Sequence, residues 1–228
     1  MKESIFDIIV GVWLERLRFI KEKPSHVGFL GRGTSVMVPM LEDLYPGRVS
    51  TLADQEKDIA RIDSLLPVDF LITDYYQMQK RRPLNECLRS WYKLLKEKGL
   101  LFFISLGEDT LTQVYDCLGV DKKNSFSIDL DYLAENVHKE GFQELVVSVE
   151  KMYFEYQKPT TLRQDLQDLD IFSAMAEGVA LSEAALMDVL ERKWPKEGLT
   201  VSYSFIFSHA IRKMSRDCNG EQVIEFYR

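Results

Sequence analysis

The sequence predicts an α/β protein built on a mostly parallel sheet with helices on both faces and an antiparallel last strand. Two observations carry this. Short apolar blocks alternate with helix-period segments from residue 26 to residue 106, the order that folds as successive βα units. A second pair of strand-like runs, QELVVSVEKMYFEY and TVSYSFIFSHAI, closes the chain, and the long final run is expected to pair antiparallel with its predecessor.

Each element has its own reason. Apolar residues at positions 5, 8, 9, 12, 13 and 17 give an opening helix one apolar face. Asp7 breaks that run and no small-residue cleavage site follows, so it does not read as an export signal. KPSHVGFLG is a short buried strand, VMVPMLEDLY a helix and RVSTLA a second strand. QEKDIARIDSLL places Ile59, Ile62, Leu65 and Leu66 on one helical face, and VDFLITDYY is apolar in a block, as a strand covered on both faces must be. LNECLRSWYKLLKEKG reads as a helix with Lys96 and Lys98 in its last turn and Gly99 as its stop, followed by the buried strand GLLFFISLG. Farther on, LDYLAENVHKEGF, LRQDLQDL and SEAALMDVLERKW read as helices.

The 228 residues suit a single domain, 1–228, with 107–140 and 159–197 as helical connections or insertions. An apolar fraction of 46% with 29% charged residues is that of an ordinary globular chain. A net charge of −7 opposes general nucleic-acid binding, and Lys80-Arg81-Arg82 is the one compact basic run. Cys87, Cys117 and Cys218 have neither CxxC spacing nor an even count, which argues against zinc or a disulfide framework and fits the cytoplasm. No stretch approaches a membrane span.

The stretch HVGFLGRGTS, residues 26–35, turns from strand to helix through Gly31 and Gly33. A dinucleotide fingerprint requires a third glycine where Val36 stands, and the Gly-Lys-Ser/Thr of a phosphate loop is absent. The remaining GxGT turn is one shared with S-adenosylmethionine (SAM) enzymes. In parallel sheets ligands sit at the carboxyl ends of the strands where strand order reverses, so this turn, the end of RVSTLA and the Asp74-Tyr75-Tyr76 region are expected on one rim.

Four stretches, WLERLRFIKEKPSHVGFLGRGTS, GLLFFISLGEDTLTQVYDCLG, FSIDLDYLAENVHKEGF and SYSFIFSHAIRKM, together resemble the malonyl-acyl-carrier-protein O-methyltransferases of biotin synthesis, in order along nearly the whole chain. The resemblance implies a Rossmann-like methyltransferase fold that binds SAM through Gly31, Gly33, Asp54 and Asp74 and uses no metal. It further implies Tyr75 and Tyr76 beside the substrate, and Lys80, Arg81 and Arg82 facing an acidic carrier protein. No residue needs a catalytic acid–base role, because the methyl-accepting carboxylate is already ionised.

The departures from that pattern are specific. Phe29 stands where the family has an acid two places before the first glycine, and Ala53 where a second acid binds the ribose, with Asp54 one residue later. Asp54 suits the N-cap of the helix that follows better than it suits the ribose. Only residues 54–67 separate the second strand from the next, and since a βαβ crossover takes about 10–12 residues, the family's third, edge strand is expected to be missing. Each charge-assisted hydrogen bond lost costs about 1.5–3 kcal/mol, so two losses weaken a cofactor by roughly two to four orders of magnitude. The alternative is a methyltransferase-fold binding module that docks a carrier protein or another partner without turnover.

Overall fold

Ile5, Ile9, Trp13 and Leu17 recur at helical spacing, and α1 (Ile5–Arg18) buries them against the sheet. In this computed structural model, residues 5–21, 23–31, 34–52, 67–74, 82–121 and 127–214 are described. After α1 come β1 (Val27–Leu30), α2 (Thr34–Leu44), β2 (Val49–Thr51) and β3 (Val68–Asp74). The chain continues through α3 (Leu84–Leu94), β4 (Leu95–Leu106), α4 (Thr112–Leu118), α5 (Leu130–Lys139) and β5 (Phe142–Tyr156), then α6 (Pro159–Asp168), α7 (Phe172–Gly178), α8 (Glu183–Lys193) and β6 (Leu199–Arg212).

The described strands form one sheet in the order β2-β1-β3-β4-β6-β5. β1 is parallel to β2 and β3, and β3 to β4, while β6 runs antiparallel between β4 and β5. Side-chain alternation divides the core in two. Phe29, Phe70, Ile72, Phe102 and Phe207 face α1, α2, α4 and the α6–α8 group. Leu71, Leu101, Phe103 and Ile206 face α3 and α5. Among the described residues β2 is the edge on its side. Residues 53–66, on which the expected short helix and missing third strand fall, lie outside them.

Two elements differ from the sequence expectation. The helix ends at Leu94 rather than at Gly99, and Leu95 begins β4 by pairing with Val68. The next register pair is Phe70 with Leu100, so Asp69 alone opposes the four residues 96–99 in a wide bulge, with Lys98 at φ 59°. Burial of Leu95 outweighs the helix preference of the Lys-Glu-Lys run that follows it. Gly99 serves close backbone approach instead of stopping a helix: a Cβ there would lie 2.8 Å from the Lys96 carbonyl oxygen and 3.2 Å from that of Asp69. The second difference is α7, whose Phe172, Ala174, Met175 and Ala176 are all buried and whose polar side is only Ser173 and Glu177, too short a pattern for a periodicity to reveal.

Asp69 pins this bulge to the entrance of β1. Its carboxylate accepts from the backbone N–H groups of Ser25 (3.1 Å) and His26 (2.9 Å), from the Ser25 hydroxyl, and from Lys96 Nζ (2.8 Å). Partial burial alone would raise its pKa, but the bonds from Lys96, Ser25 and His26 outweigh that and hold the carboxyl below its ordinary 3.8. A carboxyl with a depressed folded-state pKa contributes stability above its unfolded value and loses it as pH falls through the folded one. Asp69→Asn is therefore expected to cost about 1–2 kcal/mol at neutral pH. In urea titrations the gap between variant and parent should shrink progressively once pH drops below 3.8; a gap that does not change with pH would remove the carboxylate from this role.

Candidate functional site

The chain runs from β1 outward to β2 and then returns to β3 on the other flank of β1, so strand order reverses between β1 and β3. That is where a parallel sheet leaves a crevice at its carboxyl edge. Leu30 pairs with Thr73 as the last register pair of these strands, which brings the next two residues, Gly31 and Asp74, face to face. Both are buried. A Cβ on Gly31 would lie 2.5 Å from Asp74 Oδ1 and 2.6 Å from Oδ2, so only glycine leaves room for that carboxylate. The side chain of Asp74 points to the face that carries Phe70 and Ile72, beneath α1 and α2.

Phe29 precedes Gly31 on the same face and is fully buried. Its ring tilts against Trp13 at 6.1 Å between centroids, and Trp13 in turn stacks on Phe102 at 6.4 Å. The position thus anchors α1 to the sheet and offers no polar atom to a ligand. The carboxyl group beside the turn comes instead from the neighbouring strand, at Asp74.

Of the residues singled out in the sequence, the structure brings together Gly31 and Asp74. Arg82 lies just before α3, with Nη2 3.6 Å from Glu86 Oε2 one turn along. Gly33, Asp54, Tyr75, Tyr76, Lys80 and Arg81 lie outside the described residues. Sequence reasoning named Gly31 and Asp74 separately and missed their contact. The available signal was that two apolar blocks, VGFL and VDFLIT, end at the same level once paired in parallel.

Other reactive groups are held inert. Burial pushes the Cys87 thiol up to about 12, with Arg82 opposing and Glu86 reinforcing the shift more weakly. Burial also raises the Cys117 thiol, whose Sγ lies 3.4 Å from the Lys193 carbonyl oxygen. Tyr156 donates to Asp165 Oδ2 at 2.7 Å and lies 3.1 Å from the Tyr203 hydroxyl. Burial comes first in raising both phenols well above the ordinary tyrosine value, so the cluster stays protonated and ties β5 and β6 to α6. Among the described residues no group of three His, Cys, Asp or Glu side chains is placed to hold a metal ion, and no helix is long and apolar enough to cross a membrane.

The sheet order, the antiparallel strand inserted beside β4 and the reversal of strand order between β1 and β3 are those of the Rossmann-like methyltransferase fold. The crystal structure of a candidate methyltransferase from Bacillus halodurans has this fold, with a TM-score of 0.51, 10% identity, and coverage of 89% of this chain and 98% of that one. In sequence, the chain is similar to a malonyl-[acyl-carrier protein] O-methyltransferase of Laribacter hongkongensis, 24% identical over 93% of this chain and 85% of that protein. It is likewise similar to malonyl-[acyl-carrier protein] O-methyltransferase 1 of Coxiella burnetii, 23% identical over 92% of this chain and 83% of that protein. No family profile matches the chain.

The Gly31–Asp74 contact sets a buried carboxylate over a backbone with no Cβ in the way. Gly31→Ala should destabilise the chain by about 1–3 kcal/mol through overpacking against the carboxylate. In the Asp74→Ala background the same substitution should cost markedly less. Denaturant titrations of the two single variants and the double variant measure this coupling, and strict additivity would mean that the two residues do not touch.

Proposed function

We propose that the chain is a SAM-dependent methyltransferase whose acceptor is the free carboxylate of a malonyl thioester on acyl carrier protein. The observation that carries this reading is the Gly31–Asp74 cradle at the strand-order reversal. Similarity along more than nine-tenths of the chain to two proteins named for that reaction supports it.

When bound, SAM supplies an electrophilic methyl group. The chain's own residues then do three things. Asp74 holds the ammonium end over Gly31, Gly33 keeps the turn open to the ligand, and Asp54 takes the ribose hydroxyls. Tyr75 and Tyr76 flank the acceptor, keeping water from a carboxylate that is already ionised and needs no base. Lys80, Arg81 and Arg82 meet the acidic surface of the carrier protein.

A second reading, a binding module that keeps the fold without turnover, is favoured by one observation: Phe29 has been given to the core, so the acid expected before the turn is gone. Calorimetric titration with S-adenosylhomocysteine separates the two. Saturable binding in the micromolar range, abolished by Gly33→Val, is the result expected of the enzyme; silence at millimolar ligand would leave the module. Reversing the charges of Lys80, Arg81 and Arg82 together should weaken association with malonyl-acyl carrier protein while leaving the melting temperature in place. Unaltered association would move the docking surface elsewhere.

A further inference from the structure

The opposite end of the sheet carries a different kind of concavity. A pocket of about 390 Å³ lies between the end of α1, the end of α2 and the start of β2. Among the described residues Arg18, Lys21, Lys23 and Arg48 line it and no carboxylate does, while Leu17, Leu44 and Tyr45 supply apolar wall. Among the described residues none of these four cations pairs with an acid. Elsewhere Arg16, Arg82, Arg89, Lys96, Lys139 and Lys151 each do. The negative end of the α1 dipole accounts for a cation at Arg18, but Lys23 and Arg48 belong to other segments. Arg48 Nη1 donates to the Pro24 carbonyl oxygen at 2.8 Å, which fixes its guanidinium beside the pocket.

From this convergence we infer a second binding site, for a small soluble phosphate ester carrying an apolar group. Four like charges around one concavity repel each other, and an anion placed among them relieves that repulsion. The chain's overall net charge of −7, with this patch included, disfavours an extended polyanion or an anionic membrane, which restricts the ligand to a small one. A bare phosphate would leave the half-buried Leu44 and Tyr45 facing water, whereas an ester's apolar group covers them. Tyr45 is a firm wall, held edge-on to Phe70 at 5.9 Å between centroids. The pocket volume lies within the range of small-ligand sites, roughly 300–1,000 Å³.

The test uses the full chain. Octyl phosphate, below its micelle concentration, and inorganic phosphate are titrated separately by calorimetry, and cosedimentation with phosphatidylglycerol vesicles is measured in parallel. Octyl phosphate is expected to bind saturably and at least about tenfold more tightly than inorganic phosphate. Lys21→Ala/Lys23→Ala, two exposed changes, should weaken it by about tenfold or more, the equivalent of one charge-assisted contact, with the melting temperature unchanged. S-adenosylhomocysteine affinity should not move in that variant, since the two sites lie at opposite ends of the strands. Equal affinity for the two phosphates, no binding at millimolar concentration, an undiminished affinity in the double variant, or preferential capture by the vesicles would each overturn the assignment.

Discussion

β1 is four residues long, flanked by β2 and β3, and covered on both faces, and much of the molecule follows from that. Every side chain on it must be apolar or absent, so Phe29 becomes a packing anchor for Trp13 and a glycine at position 28 leaves space that Leu52 and Val68 fill from the other face. A charge near the crevice then has to come from a strand end rather than from within β1. Asp74 meets that condition because it is the last residue of β3, beyond the level at which the sheet is sealed. The position of this buried carboxylate is thus a consequence of core packing as much as of chemistry.

Much of this was legible in the sequence, for physical reasons that differ by element. VGFL, VDFLIT and LLFFISL are strands fully wrapped by helices, and uninterrupted apolar blocks have few other uses. α3 declared itself through Leu84, Cys87, Leu88 and Trp91, all buried on one side of an otherwise polar helix. Its end was not legible: Lys96 and Lys98 suit the last turn of a helix, and only the pairing of Leu95 with Val68 draws them into the strand. The meeting of Gly31 with Asp74 was hidden for a related reason, since contact between residues more than forty positions apart depends on register, and register is set by the packing of both faces together.

The two ends of the sheet have been given different characters by the same architecture. At the carboxyl edge, among the described residues, a buried acid lies beside the β1 terminus. At the amino edge three separate segments bring cations together around an apolar wall. Between them, Arg16 spans from α1 to Ser148 and Glu150 of β5 and lies over the Phe207 ring, joining the two halves of the chain across one face.

β6 lies between β4 and β5 although it is the last of the described strands to leave the ribosome. Within the sheet, the fifteen residues of β5 touch only β6, so during synthesis they wait for a partner that emerges more than forty residues later. Until then β5 can zip onto the open flank of β4, and the growing chain must avoid or undo that mispairing before the final strand slides into the gap. Strand insertion of this kind makes the nascent chain's most vulnerable interval a late one, when most of the helices already exist and the sheet is still split in two.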